Sequence, residues 1–137
     1  MSFVVDCSAA VTWCFEDEAS PQSDALLERL KDKAAVVPAL WHLEIGNVLI
    51  QAERRGRLTP AGLAARIELL RKLPLDTDDE TTGRAWAEIL QLARAQRLTA
   101  YDAAYLELAA RRGLPLATKD QALRAAARQL GVEVLAA

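Results

Sequence analysis

The sequence predicts an α/β protein, a three-layer α/β/α sandwich around a short central parallel sheet. Short apolar segments alternate with helical segments along the whole chain. The apolar segments are continuous rather than alternating in polarity, as in strands that are buried on both faces. The chain has 137 residues, of which 52% are hydrophobic, so it is long enough to bury one core. We therefore expect a single domain over residues 1–137.

The first half of the chain contains clear signals for helix starts and stops. Ser20-Pro21 and Thr59-Pro60 each place a hydroxyl residue before a proline, the pattern typical of a helix start, and Gly56 marks a helix end. The expected elements are a strand over residues 2–5 ending at Asp6, a helix capped by Ser8 and reaching Phe15, helices over 21–33, 39–55 and 60–72, and a strand over 35–37.

The second half continues the alternation. Gly113 and Gly131 each indicate the end of a helix. The expected elements are a weak strand over residues 73–76, a helix from a Thr77/Glu80 capping box to Arg94, a helix over 99–112, a strand over 114–117, a helix over 121–130 capped by Asp120, and a strand over 132–135.

Charge, cysteine usage and hydropathy exclude several protein classes. Seventeen basic against nineteen acidic residues give a net charge of −2, which excludes wholesale polycationic binding of nucleic acid. The two cysteines, Cys7 and Cys14, lie in an apolar stretch and predict buried thiols rather than a disulfide framework. Apolar runs fall short of the roughly 18 residues of a membrane span, so we expect a cytoplasmic protein without membrane contact.

Four carboxylates have unusual positions: Asp6, Glu44, Asp102 and Asp120. Asp6 follows a strand and Asp120 precedes a helix, so helix capping remains an alternative explanation for both. Glu44 and Asp102 fall within apolar stripes of their helices. Burying an unpaired carboxylate costs several kcal/mol, so the alternative for those two is a buried Lys or Arg partner, which neither stripe supplies.

A doubly wound sheet would bring these carboxylates together, since strand carboxyl ends and the helices after them line one crevice. Such a cluster repels itself unless a cation neutralises it, and oxygen ligands favour Mg²⁺ or Mn²⁺. His42, the one histidine, is two residues from Glu44, where we expect a supporting or surface role rather than ligation.

Four segments, in order along the chain, resemble the PIN-domain ribonucleases, and in particular the VapC-type toxins of toxin–antitoxin pairs. They are Val4-Val5-Asp6-Cys7-Ser8, the segment from Pro38 through Glu44 to Asn47, residues 98–109 around Asp102, and Ala117-Thr118-Lys119-Asp120. Cys7 stands where the family most often has Ala or Thr, and His42 where it often has Pro or Arg. Both departures lie beside acidic positions rather than at them.

The resemblance implies an endoribonuclease that hydrolyses RNA phosphodiester bonds with Mg²⁺ or Mn²⁺ held by Asp6, Glu44, Asp102 and Asp120. Ser8, Asn47 and Thr118 would hydrogen-bond and orient those carboxylates, although ordinary capping also explains Ser8. Residues 53–72 carry six basic side chains against two acids, so the RNA backbone would lie along Arg54, Arg55 and Arg57 or near Lys119. A solvated helix face is the alternative explanation.

Other classes of protein with an α/β sheet also carry acidic groups after the first strand. A phosphoacceptor receiver needs adjacent acids after the first strand, and a haloacid-type phosphatase needs Asp-x-Asp; the sequence Asp6-Cys7-Ser8 has neither. The remaining alternative is a catalytically silent interaction module with the PIN fold. Retention of all four acids argues against it.

The resemblance also implies a protein partner, an antitoxin whose tail covers the toxin and whose DNA-binding half represses the operon. The sequence itself suggests surplus apolar surface on two helices, at Trp41, Leu43, Leu49, Leu63, Ile67, Leu69 and Leu70. We therefore expect a homodimer and a groove between the helices of residues 39–55 and 60–72 that accepts an apolar antitoxin segment. An antitoxin arginine would pair with the carboxylate cluster.

Overall fold

The computed structural model describes residues 2–137 and contains a five-stranded parallel sheet. The strands are β1 (Val4–Val5), β2 (Ala35–Pro38), β3 (Leu75–Asp78), β4 (Leu116–Ala117) and β5 (Val134–Leu135). Their order across the sheet is β3-β2-β1-β4-β5, so β1 is the central strand. Helices cover the sheet and complete a three-layer α/β/α sandwich, which confirms the predicted fold class.

The helices largely follow the expected order. Within the described residues they are α1 (Cys7–Ala10), α2 (Pro21–Arg29), α3 (Leu40–Arg54), α4 (Pro60–Arg71), α5 (Thr81–Arg84), α6 (Glu88–Gln96), α7 (Ala100–Arg112) and α8 (Gln121–Gln129). Both helix starts predicted from a hydroxyl residue before a proline are confirmed, since the Ser20 and Thr59 side chains accept hydrogen bonds from backbone amides of α2 and α4. Within residues 2–137, no helix has the length and apolar character needed to cross a membrane.

The topology opens a crevice beside β1. The chain passes from β1 to β2 on one side and later returns to β4 on the other, where Val5 pairs with Ala117. In open parallel sheets, such a reversal leaves a crevice at the carboxyl ends of the two strands. Asp6 directly follows β1, and residues 118–120 directly follow β4. The sheet therefore brings residues from the two ends of the chain to one edge.

The helix after β1 corrects one sequence prediction. Ser8 is not its cap: Asp6 has the extended backbone of a cap residue, and its Oδ1 accepts a hydrogen bond from the Ala9 amide. The helix begins directly after β1, so Ser8 already lies inside the first turn. The predicted extent to Phe15 is also wrong, because α1 ends at Ala10 and a 3-10 turn, Val11–Trp13, follows.

The predicted capping box of Thr77 and Glu80 is also wrong. Thr77 lies inside β3 and pairs with Val37, so β3 covers Leu75–Asp78 rather than residues 73–76. All four residues of this segment pair with β2 in the sheet, and these hydrogen bonds favour a strand over the local capping contact. The single helix expected up to Arg94 is divided into α5 and α6.

The predicted surplus of apolar surface is smaller than expected. Trp41, Leu49 and Leu70 are buried in the core, and Leu63 and Ile67 pack against it. Helix α3 contacts both α1 and α4, so it buries apolar side chains on more than one face. Of the seven side chains named above, Leu43 and Leu69 remain exposed, at 80% and 46%.

Candidate functional site

Asp6 is buried at the carboxyl end of β1 and accepts three hydrogen bonds. Its Oδ1 accepts from the Ala9 amide at 2.9 Å and from the Ser8 hydroxyl at 2.8 Å. Its Oδ2 accepts from the Thr118 hydroxyl at 2.5 Å. Only 4% of the residue is exposed. These hydrogen bonds fix the orientation of Asp6. The residue caps α1 and also lies with the other acidic residues, so the two explanations offered by the sequence do not exclude each other.

The segment after β4 is tied to the same point. Ser8 Oγ accepts a hydrogen bond from the Lys119 amide at 2.9 Å, and Thr118 Oγ1 accepts from the Asp120 amide at 3.0 Å. Asp120 caps α8 by accepting from the Leu123 amide at 2.8 Å. The capping expected for Asp120 is confirmed. The Ser8 and Thr118 hydroxyl groups join the two strand ends, and both form the hydrogen bond to a carboxylate that the resemblance implies.

Glu44 and Asp102 reach this region from two helices. Glu44 lies in the second turn of α3, half-buried, and its Oε1 accepts a 2.5 Å hydrogen bond from the Tyr105 hydroxyl of α7. Asp102 lies in the first turn of α7, which Thr99 caps. Within residues 2–137, neither carboxylate forms an ion pair with Lys or Arg. The alternative explanation by a buried basic partner is therefore removed.

Burial and mutual repulsion raise the pKa of three of these carboxyl groups. Burial raises the pKa of Asp6, and hydrogen bonds from Thr118 and Ala9 oppose the increase only in part. Burial also raises the pKa of Glu44, and the charges of Asp102 and Asp6 add to it. For Asp102, burial raises the pKa and the charge of Asp120 adds to it. The charges of Asp6, Glu44 and Asp102 therefore repel one another, and the charge of Asp120 repels that of Asp102.

The donor set fits a hard divalent cation in its chemistry. Carboxylate oxygens without basic partners are what Mg²⁺ and Mn²⁺ favour. The oxygens do not form a compact triad: among the described residues, the only three acidic groups with ligand atoms within 4.8 Å of one another are Asp78, Asp79 and Glu80. Mg²⁺ commonly uses one or two carboxylates and keeps several waters, so it does not require a compact triad.

Arg111 partly neutralises the compact group Asp78, Asp79 and Glu80. Arg111 donates to both oxygens of Asp78, at 3.2 and 2.8 Å, and to Glu80 at 3.3 Å. Burial alone would raise the pKa of Asp78, but hydrogen bonds from Arg111 and Thr81 lower it to about 2. An ion would have to compete with this guanidinium. The crevice beside β1 is therefore the better candidate for a cation site.

Comparison with known proteins agrees with this geometry. The family model described as PIN domain matches residues 3–129. The chain belongs to the PIN-domain family. It is similar to Ribonuclease VapC3 of Mycobacterium tuberculosis, with 34% identity over 122 residues, which covers 88% of this chain and 83% of the relative. The crystal structure of PAE2754 from Pyrobaculum aerophilum is similar at TM-score 0.72 and 25% identity, over 98% of this chain and 83% of that one.

Not every residue that the sequence pointed to joins the crevice of this PIN domain. Asn47 is exposed on α3 and, within residues 2–137, has no hydrogen bond to any of the four carboxylates. His42 is also exposed, and its Nδ1 lies 3.3 Å from the Ala39 carbonyl oxygen of its own helix. The family resemblance suggested Asn47, which follows Glu44 by three residues; that spacing gives a shared helix face but not a contact.

The basic residues also divide into two groups. Arg54 and Arg55 are exposed at the far end of α3, about 15 Å along the helix axis from Glu44. Arg57 binds Asp17 and Glu18 and lies 3.9 Å from the centre of the Phe15 ring. Lys119, in contrast, is exposed and directly follows Thr118.

Two further side chains, those of Tyr105 and Cys7, lie beside the carboxylates of the crevice. Tyr105 was not expected at the site, because its helical spacing on α7 is that of a core residue; its distance of three residues from Asp102 is the signal that could have indicated a shared face. Cys7 is beside Asp6, and burial together with the Glu44 and Asp6 charges raises the pKa of its thiol to about 12. The Cys7 thiol is therefore neutral at physiological pH. Both cysteines are free; Cys14 is buried as expected, whereas Cys7 is only partly buried.

Proposed function

We propose that this PIN domain is a divalent-metal-dependent endoribonuclease, with Asp6, Glu44, Asp102 and Asp120 as the catalytic, metal-binding residues. One observation carries the proposal: these carboxylates lie together in the crevice beside β1, and within residues 2–137 no Lys or Arg pairs with them. Burying acidic side chains without basic partners lowers the stability of the folded state. A function that needs their negative charge explains them.

The relatives support the kind of substrate. Ribonuclease VapC3, 34% identical over most of this chain, is named for cleavage of RNA. We infer the same substrate class here. We also propose a cytoplasmic location.

The residues of the crevice would have different roles in binding the cation and in orienting its ligands. When bound, a Mg²⁺ or Mn²⁺ ion would stabilise the negative charge that builds on the phosphate during hydrolysis and assist deprotonation of the attacking water. Ser8 and Thr118 hold Asp6 through their hydroxyl groups, so that carboxylate needs little rearrangement to bind a cation. Glu44, Asp102 and Asp120 would supply further oxygen ligands from α3, α7 and the start of α8. We propose that Asn47, which follows Glu44 by one helical turn, orients that carboxylate when the cation is bound.

Lys119 is the basic residue best placed to contact the RNA backbone. It is exposed, and its backbone amide is hydrogen-bonded to Ser8 beside the carboxylates. Arg54 and Arg55 would contact only a longer RNA that extends along α3. Arg57 pairs with Asp17 and Glu18, which leaves it less available to RNA than Lys119.

The enzyme hypothesis is tested with purified protein and labelled single-stranded RNA. We expect internal cleavage with Mn²⁺ or Mg²⁺, none with EDTA, and recovery when excess metal is restored. Persistent cleavage in EDTA would contradict metal dependence. Mn²⁺ binding without cleavage of a broad RNA panel would favour the alternative function, a catalytically silent interaction module.

We further propose that the protein acts as the toxin of a toxin–antitoxin pair. A cleft of about 340 Å³ lies between α3 and α4, lined by Trp41, His42, Ile45, Gly46, Ile67, Leu70, Arg71, Leu73 and Leu75. Its apolar lining suits a short apolar segment of an antitoxin. We also propose a homodimer, because Leu43 and Trp86 are 80% and 92% exposed, which is unusual for large apolar side chains.

Both partner proposals are tested by co-expression with the protein encoded beside this one. We expect a stable complex, and growth inhibition when the chain is expressed alone. Ile67→Glu, at the cleft, should weaken the complex. Light scattering of the purified chain gives its oligomeric state. A chain that purifies alone as a monomer and is harmless to its host would contradict both proposals.

A further inference from the structure

Helix α7 carries two tyrosines, one helical turn apart, in opposite environments. Tyr101 is 64% exposed, whereas Tyr105 is 1% exposed. The hydroxyl of Tyr105 donates a 2.5 Å hydrogen bond to Glu44 Oε1, which lies 61 positions away in the sequence. Tyr105 is therefore a buried polar contact between the two helices that carry Glu44 and Asp102.

The hydroxyl of Tyr105 is not required to fill space. A phenylalanine would occupy nearly the same volume without a polar atom to satisfy, so packing alone does not explain a tyrosine here. Within residues 2–137, the Tyr105 hydroxyl and Glu44 Oε1 are the only hydrogen-bond partners of each other, and Glu44 Oε2 has no partner. The bond thus distinguishes the two oxygens of one carboxylate.

We propose that Tyr105 is a positioning residue that holds Glu44 Oε1 and so leaves Oε2 as the oxygen that ligates the divalent cation. This inference rests on the proposed function, because it concerns the same metal site. A glutamate has three rotatable side-chain bonds, and a hydrogen bond from a buried, rigid ring restricts them before the cation binds. Tyr105 itself does not touch the substrate or the cation in this account.

The first test measures Mn²⁺ binding to the metal-free protein by titration calorimetry or by the paramagnetic resonance signal of free Mn²⁺. Tyr105→Phe should raise the Mn²⁺ dissociation constant about 10- to 100-fold, the usual effect of losing a residue that orients a ligand. Tyr101→Phe is the matched control on the same helix, and we expect an unchanged constant. Equal affinity of wild type and Tyr105→Phe would overturn the proposal.

A second test distinguishes positioning of Glu44 from a general role in the fold. In a Glu44→Gln background, the carboxylate that Tyr105 orients is absent, so adding Tyr105→Phe should change Mn²⁺ affinity little. An equal effect in both backgrounds would overturn the proposal, since Tyr105 would then act on the site by another route. Loss of the folded state in Tyr105→Phe, seen by circular dichroism, would also overturn it.

The outcomes for Tyr105 and for the proposed function are separable. If wild type binds Mn²⁺ and cleaves RNA while Tyr105→Phe binds Mn²⁺ equally well, only the role of Tyr105 is wrong. If wild type binds no Mn²⁺, the metal-dependent function is wrong, and the role of Tyr105 falls with it. With RNA as substrate, Tyr105→Phe should need more Mn²⁺ for half-maximal rate, whereas its KM for RNA at saturating Mn²⁺ should match wild type.

Discussion

The Thr118 hydroxyl donates a 2.5 Å hydrogen bond to Asp6 Oδ2, joining residues 112 positions apart at the adjacent ends of β4 and β1. Both residues are almost fully buried. The bond connects the two sides of the crevice at the place where the sheet order reverses. It also satisfies an oxygen of Asp6 that would otherwise be buried without a protein partner.

Replacing Thr118 by Val should therefore destabilise the protein. The change preserves shape but leaves Asp6 Oδ2 without its donor, which should lower the free energy of unfolding by about 1–3 kcal/mol in urea denaturation. Thr118→Ser keeps the hydroxyl and should retain most of the stability. A Thr118→Val protein within about 0.5 kcal/mol of wild type would show that the bond matters little.

The metal-free protein should become more stable as the pH falls below neutral. Burial raises the pKa of Asp6, Glu44 and Asp102, so the folded state binds protons more tightly than the unfolded state. Their protonation stabilises the fold as the pH falls toward ordinary carboxyl values near 4. Asp78, with a pKa of about 2, acts in the opposite direction only below that range.

This pH dependence is measured by thermal melting in EDTA at several pH values from 7.5 to 5. The melting temperature should rise on acidification in wild type. It should rise less in a variant that combines Asp6→Asn, Glu44→Gln and Asp102→Asn. A wild-type melting temperature that is flat or falls over this interval would contradict the origin we assign to these shifts.

Arg111 should be more important for stability than other surface arginines. It pairs with Asp78 and Glu107, whose side chains are only 3% and 9% exposed. Arg111→Met leaves both carboxylates buried and unpaired, so we expect a loss of about 3–5 kcal/mol in urea denaturation. Arg84→Met is the control, because Arg84 pairs with Glu80 and Glu88 at the surface and should cost less than about 1 kcal/mol. Similar losses in the two variants would contradict this difference.

Lys119 and Arg57 should have opposite effects on RNA binding and on stability. Lys119→Ala should weaken binding of single-stranded RNA. It should also reduce the slope of the logarithm of affinity against the logarithm of salt concentration by about 0.7, the contribution of one phosphate contact. Arg57→Ala should leave RNA affinity unchanged and lower the melting temperature, since Arg57 holds Asp17 and covers Phe15. The reverse pattern, measured by fluorescence anisotropy and thermal melting, would place the RNA along the end of α3 instead.

Much of the fold was predictable because its signals are local. The proline starts at residues 21 and 60 and the glycines at 56 and 113 mark helix boundaries through backbone geometry alone. Thr77 shows the limit: its spacing from Glu80 suits a capping box, yet pairing with β2 keeps it in a strand. Such pairing joins segments far apart in the sequence, and a local pattern does not contain it.

The acids of the candidate site could be proposed from the sequence, whereas their hydrogen-bond partners were less evident. The apolar stripe around Glu44 singles it out because a buried carboxylate is costly, and Asp6 is a candidate because it lies at the end of a strand. The donor to Glu44 is less evident, because Tyr105 has the spacing of a core residue and its hydroxyl contacts a helix 61 positions away. Asp78 and Arg111 likewise meet only when β3 and α7 are packed in the fold.

The central claim is tested most directly by RNA cleavage with wild type and with Asp6→Asn and Asp102→Asn across a Mn²⁺ titration. Asn at residue 6 keeps an oxygen for the Ala9 amide and removes a charge whose burial is unfavourable, but it replaces the Oδ2 that accepts from Thr118 with an amide nitrogen. These effects oppose each other, so we expect Asp6→Asn to remain folded without metal, with a melting temperature close to that of wild type. The account predicts Mn²⁺-dependent cleavage by wild type and at least about a 100-fold lower rate in each folded variant. Substantial cleavage by both variants would contradict it.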